Sequence, residues 1–143
     1  MKHIINKIDS IKYLNVFLGV FFIHFLHQIE ESLSFFNWYN YHYSNLGSWA
    51  ILPASITKLV IKHPNYFILA SFLQFLLIFT LAFISKHYKN GLKSFSTLYI
   101  IGLDFFLIWH ILSCYNPHIY PPVMVTCILG LFYTPKWIYS LYK

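Results

Sequence analysis

The 143-residue chain carries too little charge for a soluble protein. Hydrophobic residues make up 58% of it and aromatic residues 22%, whereas charged residues make up only 10%. Soluble domains carry about 25% charged residues, so a soluble globular fold is excluded. The net charge of +6 comes from lysines at the ends of apolar segments, which favours membrane lipid over nucleic acid as the partner. The length fits one domain, residues 1–143.

Four apolar stretches are long enough to cross a membrane. They cover about residues 11–36, 66–85, 95–115 and 120–141. Each approaches or exceeds the ~20 residues that a helix needs to cross a ~30 Å hydrocarbon core. Backbone groups in lipid must be satisfied within the segment, so we predict an all-α, polytopic transmembrane helical bundle. The first stretch has no small-residue cleavage site after it, so we interpret it as a membrane helix and not as a signal peptide.

The segment of residues 49–61 is ambiguous. It holds only about a dozen apolar residues, and Pro53 interrupts it, which favours an interfacial or re-entrant segment over a span. A fifth crossing by this segment stays open.

The lysines predict the orientation. With four spans and the N-terminus in the cytoplasm, the outer side holds only Lys58 and Lys62. The other lysines then lie on the cytoplasmic side: Lys2, Lys7, Lys12, Lys86, Lys89, Lys93, Lys136 and Lys143. This is the positive-inside pattern, and it predicts that both termini are cytoplasmic. Heavy use of Tyr, Phe, Ile, Lys and Asn is typical of an AT-rich genome, so we expect a bacterial inner-membrane protein.

Acidic residues are few, and most of them fall where a bilayer penalises charge. Asp9 precedes the first span, whereas Glu30, Glu31 and Asp104 lie within predicted spans. A charge at the centre of a bilayer costs ~2.5–3.5 kcal/mol even on the lenient insertion scale. Ionisable residues at such depth are by default candidates for function.

The end of the first span presents a histidine–glutamate cluster. His24, His27 and Glu31 are spaced i, i+3 and i+7 and share one helix face, which Glu30 borders. Imidazole and carboxylate groups one turn apart can bind one metal ion, as in the H-E-x-x-H zinc motif. A plain polar helix end near the interface, with His24 as a packing residue, is the alternative.

The third span places a further histidine at the same depth. A helical rise of ~1.5 Å per residue puts His27 ~24 Å and His110 ~21 Å from the inner side of their spans. Both then lie in the outer half of the bilayer. Asp104 lies nearer the midplane and points ~120° away from His110, so we treat it as a neighbouring or packing residue.

The fourth span begins at a proline-rich sequence. Pro122 suits the first turn of a helix, and Tyr120 and Thr126 would lie at the level of the cluster. An ordinary helix start with an interfacial tyrosine is the alternative. Cys114 and Cys127 fall in apolar stretches, and we interpret both as small buried residues.

These residues resemble the signature of the HXXEE membrane-protein family. The first of its three motifs, H-x-x-E-E, matches His27-Gln-Ile-Glu30-Glu31. His110 supplies the histidine of a later N-x-x-x-H, and a Y-x-P-G-x-x-T motif is matched by Tyr120, Pro122 and Thr126. Phe106 stands in place of the family's asparagine and Val123 in place of its glycine, as in a divergent member. The resemblance implies a polytopic helical bundle whose activity is not established.

The cluster fits a metal-dependent membrane hydrolase that acts on a lipid-like substrate. His27, His110 and one of Glu30 or Glu31 would bind a Zn²⁺-like ion, with Glu31 as the ligand we assign. The second glutamate would be the general base for the attacking water, and Tyr120 would donate to a developing oxyanion.

Two non-enzymatic functions fit the same residues. One is a proton- or ion-handling subunit, or a haem-binding one with His24, His27 and His110 as axial ligands. The other is a small accessory or immunity protein that packs against a larger membrane partner. Four short helices offer a thin core, so a homo-oligomer is compatible with each of these functions.

Overall fold

The computed structural model describes the backbone of residues 2–143 and the side chains from residue 11 onwards. The predicted all-α class is confirmed, because residues 2–143 contain helices and no strand. The α-helices are α1 (Lys2–Glu30), α2 (Phe36–His42), α3 (Ala54–Lys62), α4 (Pro64–Ser85), α5 (Gly91–Leu112) and α6 (Met124–Tyr142). A π-helical turn, Glu31–Phe35, joins α1 to α2 without a break. The side chains of Lys2, Lys7 and Asp9 lie outside the described residues.

The core of the bundle lies between α1, α5 and α6. Its fully buried residues include Val20, Ile100 and Leu107. Gly130 allows α6 to approach closely, since a Cβ atom there would collide with Leu107 of α5 and crowd Ile23 of α1. Helix α4 lies at the periphery and exposes apolar side chains along most of its length. Such a surface suits contact with lipid.

Within the described part of the chain, three helical segments are long and apolar enough to cross a membrane. They are Ile11–Asn45, Pro64–Ser85 and Gly91–Leu112. They correspond to the first three predicted spans. Helix α6, the predicted fourth span, is not among them, because Pro135, Lys136 and several tyrosines make its C-terminal half more polar.

Two helices differ in extent from the predicted spans. The helix of the first span does not end at residue 36, because the π turn carries it into α2. The last helix begins at Met124 and not at residue 120. A residue that precedes proline is driven out of the α region, and Tyr120 and Pro121 both precede one, so the helix forms only after Pro122.

The ambiguous segment folds as α3, which follows Pro53 and is nine residues long. At ~1.5 Å per residue it measures about 14 Å, roughly half of what a span needs. Its length therefore favours the interfacial or re-entrant assignment over a fifth crossing. Helix α3 contacts α2 and α4.

Candidate functional site

The C-terminal end of α1 meets α5 and α6 at a pair of buried histidines. His27 is 2% exposed and His110 is 1% exposed. Their rings are in edge-to-face contact, with 4.8 Å between the ring centroids. The residues that the sequence placed at one depth in the first and third spans are therefore neighbours in the structure.

Glu30 contacts the first turn of α6. Its Oε2 atom accepts hydrogen bonds from the backbone N–H of Thr126 at 3.1 Å and from the Thr126 hydroxyl at 2.5 Å. The first N–H groups of a helix have no partner within the helix, and a carboxylate there is also favoured by the helix dipole. No side chain of α6 itself caps this end. Glu30 therefore caps α6 from another helix.

Thr126 also contacts His27 through the same hydroxyl group. The His27 Nδ1 atom lies 2.8 Å from the Thr126 Oγ1 atom. Because the hydroxyl gives its one proton to Glu30, His27 must donate from Nδ1. Neutral His27 then carries an unprotonated Nε2 atom, which is buried without a hydrogen-bond partner among the described residues.

His110 is held in the same tautomer by a different contact. Its Nδ1 atom lies 2.8 Å from the backbone carbonyl oxygen of Phe106, which can only accept. The Nε2 atom is therefore bare when His110 is neutral, and it faces Glu31 Oε1 at 3.5 Å. Two electron-pair donors face each other here with no hydrogen bond between them. A cation or a proton would stabilise this arrangement.

Cys127 is the residue that the sequence reasoning missed. It is fully buried, and its Sγ atom and one nitrogen from each of His27 and His110 all lie within 4.8 Å of one another. Two histidines and a cysteine form a set of ligands that suits a zinc-like ion. The signal in the sequence is its position directly after Thr126, which the start of the fourth span places at the level of the cluster.

A cavity of about 740 Å³ opens beside these groups. Its walls are mainly apolar side chains of α3, α4 and α5. The main polar lining comes from His24, His27, Gln28, Glu31, Tyr99 and His110. Pockets of this volume, with apolar walls and a few converging polar groups, are typical of sites for small molecules. The predicted shared face of His24, His27 and Glu31 is thus the face that α1 turns to the cavity.

The two glutamates point to different neighbours at the start of the π turn. Glu30 is the last residue of α1 and contacts α6, whereas Glu31 is the first residue of the π turn and lines the cavity. A π turn inserts an extra residue into the helical register, and such turns are frequent at functional sites. Adjacent carboxylates are in this way given different surroundings.

Three further candidates lie outside the cluster. Tyr120 is 72% exposed in the turn before α6, and it is absent from the cavity lining. Pro122 is exposed in the same turn. Asp104 does not line the cavity either, and its Oδ1 atom is buried without a hydrogen-bond partner among the described side chains. His24 lines the cavity one turn from His27.

The fold and the site define a class: a helical membrane-type protein with a buried histidine–carboxylate centre beside an apolar cavity. The family model described as "protein of unknown function with HXXEE motif" matches residues 18–139 of the chain. The protein belongs to this family, and its motif residues are His27, Glu30 and Glu31. Neither a curated protein nor a solved structure matches the chain significantly.

Replacing Thr126 should weaken metal binding without removing a ligand. In Thr126→Val, His27 loses the acceptor that orients it, and loss of such an outer contact costs about 10–100-fold in metal affinity. Thr126→Ser keeps the hydroxyl and should stay near the wild type. The affinity is measured by competition with a chelator of known strength.

Thr134→Val is the matched control, because Thr134 is equally buried on the same helix but lies two turns from the site. An equal loss of affinity in Thr126→Val and Thr134→Val, or no loss in either, would contradict the positioning role of Thr126.

Proposed function

We propose that the protein is a membrane-embedded, metal-dependent enzyme of the hydrolase type with a lipid-like substrate. Two observations carry the proposal. One nitrogen from each of His27 and His110 and the Cys127 Sγ atom lie within 4.8 Å of one another, and the Nε2 atoms of both histidines are buried without a hydrogen-bond partner among the described residues. We take these three residues as the ligands of a Zn²⁺-like ion. Three protein ligands with one open position is the pattern of catalytic zinc sites.

The two glutamates take separate roles in this proposal. A bound ion would act as a Lewis acid on the substrate's carbonyl or phosphoryl oxygen. Glu31 lies in the cavity 3.5 Å from His110, where its carboxylate can take a proton from the attacking water. Glu30 is engaged by α6 and positions His27 through Thr126. We assign no role to Tyr120, because its exposed side chain lies outside the cavity.

A proton relay is the second candidate function. The chain of contacts from Glu30 through Thr126 to His27 has the hydrogen bonds that a relay requires. A haem held between His27 and His110 is disfavoured, because the two rings touch each other and leave no space for a porphyrin between them.

We also propose a membrane topology for the chain. We place four spans in the membrane, with both termini in the cytoplasm and the site in the outer half of a bacterial inner membrane. The lysine distribution supports this orientation. Helix α6 is not among the segments that are long and apolar enough to span, but it packs against α1 and α5 along the core, so part of its surface is shielded from lipid by protein.

Metal analysis tests the ligand set. Detergent-purified wild type should hold about one metal ion per chain, as should Cys114→Ser, whose thiol contacts Ile111 and lies outside the cluster. His27→Ala and Cys127→Ser should lose the metal, because each removes one of three ligands. Glu31→Gln should keep the metal, while hydrolysis of a fluorogenic long-chain acyl ester falls by about 10²–10⁴-fold, as is typical for loss of a general base.

A metal-free wild type, purified gently and without chelator, would contradict the enzyme hypothesis and favour the proton relay. Loss of metal in Cys114→Ser to the same extent as in Cys127→Ser would contradict the assignment of Cys127 as a ligand.

Reporter fusions after Lys143 test the topology. With the C-terminus in the cytoplasm, a fused green fluorescent protein should fluoresce, and fused alkaline phosphatase should be inactive, because each reporter matures on only one side of the membrane. Active phosphatase together with a dark fluorescent fusion would indicate an odd number of spans or an inverted orientation.

A further inference from the structure

A second polar cluster lies one helical turn from the candidate metal centre, and its members His24, Gln28 and Tyr99 line the cavity. The His24 Nδ1 atom lies 2.7 Å from the Tyr99 hydroxyl, and the Gln28 amide nitrogen lies 3.4 Å from His24 Nε2. The Ser71 hydroxyl donates to Gln28 Oε1 at 2.7 Å. We call His24, Gln28, Ser71 and Tyr99 the deep cluster. It joins α1, α4 and α5, about 4.5 Å from His27 along the axis of α1.

The deep cluster leaves one hydrogen-bond donor free for the cavity. Since Gln28 donates to His24 Nε2, the His24 proton is on Nδ1 and is donated to the Tyr99 oxygen. The Tyr99 O–H proton then has no acceptor within the cluster, and Tyr99 lines the cavity. None of the four side chains carries a formal charge in this arrangement. The cluster is therefore complementary to an uncharged acceptor, such as a hydroxyl, ester or amide oxygen.

The shape of the cavity further restricts the ligand that can bind there. Residues from Tyr66 to Leu81 of α4 line it, a distance of about 22 Å at the helical rise. This exceeds the thickness of one leaflet, roughly half of the ~30 Å hydrocarbon core. Gln74 of α4 adds one further uncharged polar group, and beyond it the walls are apolar, with Leu81 on one side and Phe95 and Leu98 on the other. A long hydrocarbon chain fits such a cavity, whereas a compact polar ligand would leave its walls uncovered.

We infer that the cavity binds an uncharged membrane lipid with one extended acyl chain. Its polar linkage accepts a hydrogen bond from Tyr99, and its chain lies along α4 and α5 towards Leu81. This inference rests on the proposed function in so far as the lipid is the substrate. Binding itself uses the deep cluster and the apolar walls, and it needs no metal.

Photo-crosslinking tests whether the lipid binds in the cavity. The probe is a monoacylglycerol with a diazirine in its acyl chain, added to the full-length protein in phosphatidylcholine vesicles. Cross-links mapped by peptide mass spectrometry should concentrate on cavity residues such as Leu77, Leu81 and Leu98. Labelling spread evenly over the lipid-facing surface of α4 would overturn the inference.

A glycine offers a way to fill the cavity. Gly102 lines it, and a Cβ atom added there meets nothing within 4 Å, so Gly102→Phe should project into the space without a backbone clash. Cavity labelling should fall at least tenfold. Ile101→Phe is the matched control, because the neighbouring residue is 56% exposed and does not line the cavity. Equal labelling in the two variants would overturn the inference.

The role of the polar linkage is tested separately. Tyr99→Phe removes only the hydroxyl and should lower cavity labelling about fivefold, as expected for loss of one hydrogen bond. Tyr142→Phe is the control, since that hydroxyl contacts Thr97 of α5 outside the cavity. Unlabelled monoacylglycerol should compete with the probe far better than hexadecane does. Equal competition by the alkane, or full labelling in Tyr99→Phe, would overturn the role of Tyr99.

A metal-ligand variant separates this inference from the proposed function. Cys127→Ser should be labelled in the cavity like the wild type although it has lost the metal, because Cys127 does not line the cavity. Cavity labelling of a wild-type protein that proves metal-free would support lipid binding while the enzyme hypothesis fails. One metal per chain with no labelling in the cavity would overturn lipid binding and leave the metal site standing.

Discussion

The carboxylate of Glu30 accepts two hydrogen bonds from Thr126 in the first turn of α6, and the arrangement of the site follows from this contact. In an apolar bundle, unpaired backbone groups and unpaired charges are both costly. A carboxylate at an uncapped helix end gives a partner to the helix N–H groups and to its own charge. The contact fixes the start of α6 against the end of α1. It also leaves the Thr126 hydroxyl oxygen free to accept from His27, which sets the tautomer of that histidine.

The π turn explains why two adjacent glutamates do not act as a pair. Glu30 ends the regular helix and faces α6, whereas Glu31 begins the π turn and faces His110 and the cavity. One carboxylate is thus part of the framework and the other is available for chemistry. The cavity extends along two levels of α1. The histidine–cysteine centre lies at one level, and the uncharged deep cluster lies one helical turn away.

Periodicity alone predicted the parts of the site that lie on single helices. The i, i+3 and i+7 spacing of His24, His27 and Glu31 fixes one face on any helix, and the helical rise was enough to place His110 at a matching depth. The all-α class followed from apolar segments of spanning length. These are local properties, so the sequence suffices for them.

Contacts between helices could not be predicted in this way. Cys127 looks like any small core residue until the packing of α6 brings its thiol beside two histidines. The cap from Glu30 to Thr126 joins residues 96 positions apart. The start of α6 is set by the disfavoured α conformation before Pro121 and Pro122, which outweighs the favourable place of proline in a first turn. Tyr120, predicted at the level of the site from a helix start at residue 120, therefore lies in the turn before α6.

We propose that His27, His110 and Cys127 bind one ion together, and X-ray absorption at the metal edge tests this proposal most directly. For a zinc-loaded protein the predicted spectrum contains one sulfur neighbour at about 2.3 Å and nitrogen neighbours at about 2.0–2.1 Å. The sulfur contribution should vanish in Cys127→Ser and persist in Cys114→Ser. A first shell of oxygen and nitrogen alone in the wild type, or a sulfur signal that survives Cys127→Ser, would contradict the claim.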